Sequence, residues 1–277
     1  MFSPVSFGGK LFKRYLLAFD HPGKVRIQNL IGRFFFSHGI YLDNLEGTMF
    51  RLDPNDWITR ILLKEGVYEE GSISLAKKIL NEGGIFIDIG ANFGLFTCLA
   101  ANDNKNIKVV AIDPNYKIIG WLLNNIALNN LQERVAVYNM AVSQKFQVLS
   151  LQQPAADNMG TTITGATSPG ALSVLSCPLD FLYKGHGDLP IDLLKIDVEG
   201  NEFDILENFP FDKCIIRNII LEFNHLCKVG FAELLDFFEK NGFKSFTVNG
   251  DILNTEKQGI PENNIWFVNQ LTTPVKP

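Results

Sequence analysis

Residues 1–65 show a helical and then a strand-like pattern of apolar positions. Apolar side chains recur at helical spacing over 9–19 and 24–36. Apolar and polar residues alternate over 40–44 and 47–54, which is typical of a β-hairpin. These patterns predict an N-terminal extension built from two helices and a hairpin.

A different pattern follows, which begins with the helix-like segment ISLAKKIL and continues with alternating strand-like and helix-like segments. The run IFIDIG at 85–90 is apolar apart from Asp88, as in a strand that is covered on both faces. The next segments in order are LFTCLAA, KVVAIDP, IIGWLLNNIAL and RVAVYNMAV. This order predicts an α/β fold with a doubly wound, mostly parallel, Rossmann-like sheet of seven strands.

The alternation is interrupted once and then resumes. Between 143 and 180, two strand-like segments flank the loop DNMGTTITGATSPG, which predicts an inserted hairpin with a loop. The later segments IDLLKIDV, NEFDILENF, IIRNIILEF and FAELLDFFEKNG continue the alternation of strand and helix. FKSFTV and NIWFVNQ are predicted to close the sheet as an antiparallel C-terminal edge. We therefore expect one domain over residues 66–277.

Composition and charge narrow the possible partners. The chain has 277 residues, 46% hydrophobic and 20% charged, with a formal net charge of −5. It therefore lacks the basic character of a nucleic-acid-binding protein. Residues 1–33 are the exception, since six basic residues there face Asp20 alone. We expect this segment to pack its apolar face on the domain, in preference to lying on an anionic membrane surface or a polyanionic substrate.

The cysteines and the apolar runs indicate a cellular location. Four cysteines show no C-x-x-C pair, and a chain of this length does not need disulfides. No apolar run approaches the roughly 18 residues of a membrane span, and the N-terminus lacks the order of a signal peptide. A cytoplasmic location is the expectation.

A glycine-containing turn follows the first strand of the predicted sheet. Asp88, Gly90 and Gly94 give the spacing D-x-G-x-x-x-G at the point where a strand ends and a helix begins. Such a turn brings backbone N–H groups and a helix N-terminus close to a ligand. The G-x-G-x-x-G spacing of dinucleotide-binding proteins and the Lys-Ser/Thr pair of a phosphate-binding loop are both missing. Both NAD and ATP are therefore disfavoured.

The acids around this turn indicate a different ligand. Asp88 is able to face an ammonium group, directly or through water, while the helix start accepts a carboxylate. Asp113 ends the next strand, where an acid accepts hydrogen bonds from ribose hydroxyls. A ligand with an amino acid at one end and a nucleoside at the other is S-adenosylmethionine. Two alternatives remain open: the turn serves packing alone, and Asp113 is only a helix cap.

Four stretches of the sequence resemble the FkbM-type methyltransferases, a branch of the S-adenosylmethionine-dependent class I fold. They are GVYEEG at 66–71, FIDIGANFGLFT at 86–97, VVAIDPN at 109–115 and IDLLKIDVEGNEFDIL at 191–206. The resemblance implies a cofactor site made of Glu69, Asp88, Gly90, Ala91, Asn92, Gly94, Asp113 and Asn139. It also implies methyl transfer to an oxygen, commonly a hydroxyl of a sugar or of a secondary metabolite. Asp113 stands where Glu is usual in the family.

The fourth and fifth parallel strands carry the candidate catalytic residues. Asp197 and Glu199 follow the fourth strand, and Glu222 and His225 follow the fifth, so their side chains are expected to adjoin. A hydroxyl acceptor needs a base, and His225 titrates nearest neutrality, although a purely structural role for it stays open. Asp197, Glu199 and Glu222 could instead hold a divalent metal ion, which is the minority alternative. Alternation along the fourth strand also places Lys195 and Asp197 on the same side, where they can form a purely structural ion pair.

These observations predict an S-adenosylmethionine-dependent O-methyltransferase acting on a small-molecule or glycan hydroxyl. Two other functions stay open at this point. One is a Rossmann-type NAD-dependent oxidoreductase, and the other is a non-catalytic, methyltransferase-like binding scaffold.

Overall fold

The computed structural model describes residues 1–44, 47–152, 163–165, 172–185, 187–253 and 264–272. The helices are α1 (Phe7–Leu17), α2 (Lys24–Phe35), α3 (Trp57–Glu65), α4 (Glu70–Ile79), α5 (Leu95–Asp103), α6 (Tyr116–Leu128), α7 (Leu179–Gly185), α8 (Glu202–Leu206) and α9 (Phe231–Lys240). The strands are β1 (Ser3–Pro4), β2 (Ile40–Asp43), β3 (Met49–Leu52), β4 (Gly84–Ile89), β5 (Ile107–Ile112), β6 (Val135–Tyr138), β7 (Ala141–Val142), β8 (Gln147–Gln152), β9 (Ile163–Gly165), β10 (Leu172–Cys177), β11 (Leu193–Ile196), β12 (Asn218–Glu222), β13 (Phe243–Thr247) and β14 (Asn264–Asn269).

A seven-stranded sheet with the order β13-β14-β12-β11-β4-β5-β6 forms the centre of the molecule. The strands from β12 to β6 are parallel, whereas β14 runs antiparallel to both of its neighbours. The predicted α/β fold with an antiparallel C-terminal edge is therefore confirmed. The chain order reverses between β4 and β11, and in open α/β sheets ligands bind outside the carboxyl ends of the strands at such a point.

The two faces of the sheet support two hydrophobic clusters. Phe86 of β4 packs in the cluster that contains α5 and α6, whereas Ile87 and Ile89 pack in the cluster that contains α9. Because successive side chains of a strand point to opposite faces, a strand covered on both sides is apolar throughout. The run of mostly apolar residues in β4 has this cause.

The N-terminal extension shares the core of the larger domain. Phe2, Phe12 and Phe50 belong to the same buried cluster as Phe86 of β4. The predicted hairpin is present as β2 and β3, and β1 adds a third antiparallel strand. The extension is thus continuous with the core of the domain predicted at 66–277.

Two helices were not predicted. The helix α3 starts where the Asp56 carboxylate accepts a hydrogen bond from the Thr59 N–H (3.0 Å), a typical N-cap. The helix α7 follows the insertion directly, where the sequence indicated the end of a strand. Both are short amphipathic segments whose apolar residues are also compatible with other structures.

The insertion contains a small separate sheet. Strands β8 and β10 pair antiparallel, β9 adds to β8, and β7 pairs parallel with β10. The predicted loop at 157–170 lies outside the described residues except for 163–165. The four cysteines form no disulfide. Throughout the described ranges, every helix is too short or too polar to cross a lipid bilayer.

Candidate active site

A cleft opens at the carboxyl ends of β4, β5, β11 and β12, where the strand order reverses. It encloses about 850 Å³ of non-protein space, part of which is open to solvent. Its walls include residues from the turns after these strands and from the start of α3. Its lining residues include Trp57, Ile58, Tyr68, Gly90, Asn92, Asp113, Asp197, Glu199 and Glu222. A smaller inner lobe shares Tyr68, Gly90 and Asp197 with the cleft and adds Glu69, Asp88, Ala91 and Lys195.

The glycines of the turn after β4 are required by packing. Gly90 has φ +80°, and a Cβ atom there would lie 1.8 Å from the backbone oxygen of Asp197. Gly94 has φ +90°, and a Cβ atom would lie 2.5 Å from Leu122 Cδ1. The D-x-G-x-x-x-G spacing therefore lets the ends of β4 and β11, and the helices α5 and α6, approach each other closely. Gly90 also lines both lobes of the cleft, so packing and ligand access coincide there.

Asp88 lies at the base of the inner lobe. It is almost completely buried, and its Oδ2 accepts a hydrogen bond from Thr97 Oγ1 (2.6 Å). Its Oδ1 is buried and has no hydrogen-bond partner. Burial raises the pKa of this carboxyl, while the Lys195 ammonium opposes the rise. An unpaired buried acceptor is costly unless something donates to it, so this oxygen fits a ligand ammonium group or a water molecule.

Asp113 lies at the end of β5, and its carboxylate links the turn after β4 with the turn after β5. Its Oδ2 accepts the Asn92 N–H (3.0 Å), and its Oδ1 accepts the Asn115 N–H (2.8 Å). Burial raises its pKa to about 7, although both backbone hydrogen bonds oppose the rise. A carboxylate has about four acceptor positions, so it retains capacity for further donors. The cap of α6 is Asn115, whose side chain accepts the Lys117 N–H, so Asp113 does not serve as that cap.

Two other predicted cofactor residues support this site in different ways. Asn139 is exposed and does not line the cleft; its Nδ2 donates to the backbone oxygen of Asp113 (2.9 Å). Glu69 lines the inner lobe, and its Oε2 accepts a hydrogen bond from Asn264 Nδ2 (3.0 Å). Burial raises the pKa of Glu69, and Lys195 opposes this rise. Asn139 thus holds Asp113 in place, whereas Glu69 faces the ligand space.

Asp197, Glu222 and Lys195 form a connected charged group in the cleft. Lys195 Nζ is buried and lies 2.9 Å from Asp197 Oδ2, and the ring of Phe96 lies under the ammonium group at 4.8 Å. The Glu222 carboxyl is hydrogen-bonded to Asp197. Alternation along β11 predicted the pairing of Lys195 with Asp197, and the structure contains it.

The two carboxyls of this group have opposite pKa changes. Burial and the nearby Asp197 carboxylate raise the pKa of Glu222 to about 9. Burial opposes the ionisation of Asp197, but Lys195 and the hydrogen bond from Glu222 hold its pKa below the usual range. These opposite directions favour a pair in which Glu222 holds a proton and Asp197 is ionised. The Lys195 ammonium acts on this pair and also on the Asp88 and Glu69 carboxyls.

The remaining predicted catalytic residues differ in position. Glu199 lines the cleft and adopts a left-handed conformation with φ +56°. His225 is exposed and is not among the lining residues, so the structure does not support its predicted role as the base. The reason is local: β12 ends at Glu222, and the chain turns at Asn224, whose Oδ1 accepts the Leu226 N–H (2.8 Å). His225 lies within this turn, on the exposed surface.

The structure gives no support to the alternative of a metal site. Within the described part of the chain, no three or more His, Cys, Asp or Glu side chains are grouped so that they could hold a metal ion. Asp197 and Glu222 are already engaged with each other and with Lys195.

Sequence reasoning missed the residues that cover the cleft from the N-terminal side. Trp57 and Ile58 come from the first turn of α3, and Tyr68 follows the same helix. The rings of Trp57 and Tyr68 meet edge to face, with centroids 6.2 Å apart. Asp56 followed by an apolar segment was the available signal for α3. Nothing local indicated that this helix borders the same cleft as the ends of β4 and β12.

Comparison with known proteins identifies the family. Residues 88–245 match the model of the methyltransferase FkbM domain. A tRNA (guanine(37)-N(1))-methyltransferase of Mus musculus is 39% identical over 72 residues, which are 26% of this chain and 13% of that protein. The chain thus spans only a small part of this curated relative.

Solved structures are similar at a much lower level of identity. A methyltransferase FkbM from Methylobacillus flagellatus KT is 15% identical, with a TM-score of 0.41 over 68% of this chain and 44% of the other. An O-methyltransferase from Bacillus cereus is 13% identical, with a TM-score of 0.44 over 73% and 80%. Structural similarities with TM-scores this low do not indicate which reaction a protein catalyses. The family match, which covers more than half of the chain, shows that this protein belongs to the FkbM methyltransferase family.

Proposed function

We propose that this protein transfers a methyl group from S-adenosylmethionine to a hydroxyl oxygen of a sugar, glycan or other metabolite. The observation that carries the proposal is the distribution of carboxyls in one cleft. Asp113 lines it at the end of β5, and the Asp197–Glu222 pair lines it at the ends of β11 and β12. One carboxyl is thus available to hold a cofactor and a separate, ionised one to accept a proton. Membership in a methyltransferase family supports the same conclusion.

The residues present fit S-adenosylmethionine, which supplies a methyl group on a positively charged sulfur when it is bound. Asp113 would accept hydrogen bonds from ribose hydroxyls through its remaining acceptor positions. The unpartnered Asp88 Oδ1 and the Glu69 carboxyl would face the amino group in the inner lobe. The backbone at Gly90 borders both lobes, so it would contact the ligand between these two ends.

Asp197 is proposed as the base. A hydroxyl that attacks a methyl group must lose its proton, and an oxygen becomes strongly acidic once it has formed a third bond. A carboxylate within hydrogen-bond reach is therefore sufficient to take the proton, even when its pKa is low. Asp197 is the ionised member of its pair and faces the cleft, whereas Glu222 already holds a proton. Positioning of the two reactants supplies the rest of the acceleration.

The test is release of S-adenosylhomocysteine from the full chain with S-adenosylmethionine and pooled sugars, glycans and hydroxylated metabolites. Asp197→Asn is expected to lower kcat by about 10²- to 10⁴-fold with little effect on cofactor affinity. Asp180→Asn is the matched control, because Asp180 pairs with Lys184 (2.8 Å) on the surface of α7, outside the cleft.

Two results would contradict the proposal. Unchanged kcat in Asp197→Asn would show that the proton goes elsewhere. Binding of S-adenosylhomocysteine without turnover of any pooled acceptor would favour the non-catalytic scaffold.

A further inference from the structure

The helix α2 is oriented with an apolar face towards solvent. Its buried residues are Lys24 (7% exposed), Gln28 and Gly32, which are polar or small. Ile27, Leu30 and Phe34 follow one another at helical spacing and are all exposed, with Phe34 at 71%. The sequence led us to expect an apolar face packed on the domain, but among the apolar residues of α2 only Ile31 packs against the core, and it is partly buried.

The neighbouring segment extends this apolar surface. The helix α1 buries Phe12 and Leu16 but exposes Phe7 (77%) and Leu11, and Phe19 between the two helices is 84% exposed. The ring of Phe36, directly after α2, packs on Phe12 of α1, so the two helices adjoin. We call the set Phe7, Leu11, Phe19, Ile27, Leu30 and Phe34 the N-terminal apolar surface. Exposed phenylalanines in such a concentration mark an interaction site and not an ordinary solvated face.

Positive charge surrounds the N-terminal apolar surface. Lys10 and Arg14 lie on α1 between Phe7 and Leu17, and Arg26 and Arg33 lie on α2 beside its exposed stripe; all four are exposed. Asp20 is the only acid in residues 1–42, and it pairs with the buried Lys24 (2.9 Å). The exposed basic side chains of residues 1–42 are therefore not balanced by any acidic residue within that segment.

We infer that the N-terminal apolar surface docks on an anionic lipid membrane. Aromatic and aliphatic side chains that insert at the level of the headgroups, with basic residues beside them, are the features of helices that lie in a membrane interface. Anionic headgroups balance the charge of Arg26 and Arg33. A second copy of this chain is a poorer occupant, because a symmetric contact would bring two equally basic surfaces together. The inference is independent of the proposed function, since none of these residues lines the cleft.

The experiment is flotation of the full chain with phosphatidylcholine vesicles, with and without phosphatidylserine. We expect binding to the anionic vesicles that weakens as the salt concentration rises. Ile27→Ser/Leu30→Ser/Phe34→Ser is expected to weaken binding at least about 100-fold, because three apolar side chains lose their burial. Leu123→Ser/Leu175→Ser is the control, since it removes exposed leucines from α6 and β10.

A second pair of variants tests the electrostatic part without touching apolar residues. Arg26→Gln/Arg33→Gln is expected to weaken binding about 25-fold, from about fivefold for each basic residue near the membrane. Lys108→Gln/Lys213→Gln, which removes exposed lysines elsewhere, is expected to bind like the unchanged protein.

Three results would overturn the inference. They are a lack of binding to anionic vesicles, undiminished binding in both surface variants, and a dimer in sedimentation velocity that the serine variant converts to a monomer without any vesicle binding.

Discussion

The carboxyl of Asp113 makes a prediction about how ligand affinity depends on pH. Burial raises its pKa to about 7, and it already accepts two backbone N–H groups. Protonation turns one oxygen into a donor and removes the negative charge, so the neutral form offers fewer and weaker acceptor positions to ligand hydroxyls. We therefore expect affinity for S-adenosylhomocysteine to fall as the pH decreases through 7.

The magnitude follows from the energy of the new hydrogen bonds. Hydrogen bonds to a charged group contribute about 1.5 to 3 kcal/mol, which would lower the pKa of Asp113 in the complex to between about 5 and 6. With a pKa of about 7 in the free protein, linkage makes the dissociation constant about five- to tenfold larger at pH 6 than at pH 8.

Isothermal titration calorimetry of S-adenosylhomocysteine at several pH values measures this change. Asp113→Asn is expected to bind weakly and to lack the part of the pH dependence that is specific to Asp113. Titration of the ligand itself contributes equally to both proteins and cancels in the comparison. Asp53→Asn is the matched control, because Asp53 also accepts an N–H two residues ahead (Asn55, 2.8 Å) but lies outside the cleft. If Asp113→Asn and the unchanged protein share one pH profile, Asp113 does not control the affinity in this way.

Three further predictions concern the turn after β4 and the ends of β11 and β12. Gly90→Ala is expected to lower the free energy of unfolding by about 2 to 6 kcal/mol, through strain at φ +80° and overlap with the Asp197 backbone. In contrast, Gly120→Ala meets nothing within 4 Å and should be neutral or slightly stabilising in denaturant titrations. Glu222 has a folded-state pKa of about 9, above its unfolded value, so its contribution to stability is complete below about pH 4.5 and is lost as the pH rises towards 9. Glu222→Gln keeps a neutral side chain and should lack this decline in thermal stability; an identical decline would assign it to other groups. His225→Ala should retain turnover and its pH profile, because the ring is exposed outside the cleft; a large loss of kcat would return His225 to the reaction.

The parts of the fold that could be predicted depend on short-range patterns. The run of mostly apolar residues in β4 indicated a strand covered on both faces. The alternation of strand-like and helix-like segments indicated a parallel sheet. These rules also placed Asp113 and Asp197 at the same edge of the sheet, and alternation along β11 paired Lys195 with Asp197. Each of these inferences uses residues that are close in sequence or strands whose direction is known.

The parts that could not be predicted depend on contacts between distant segments. Gly90 was expected to provide space for a ligand, but the atom nearest to its Cβ position belongs to Asp197. Trp57 lines the cleft together with residues from the ends of β4 and β12, and no local pattern encodes this arrangement. For α2, periodicity indicates an apolar face but not what that face contacts. The position of His225 depends on where β12 ends, and such boundaries are the least reliable element of a sequence-based prediction.

The proposed function is tested most directly by following the methyl group itself. The full chain is incubated with S-adenosylmethionine that carries a ¹³C-labelled methyl group and with the pooled hydroxylated acceptors, and the products are examined by NMR. We predict a labelled methyl ether, formed together with an equal amount of S-adenosylhomocysteine and lost in Asp197→Asn but not in Asp180→Asn. Label attached to nitrogen or carbon, or no transfer to any acceptor by a protein that binds the cofactor, would contradict it.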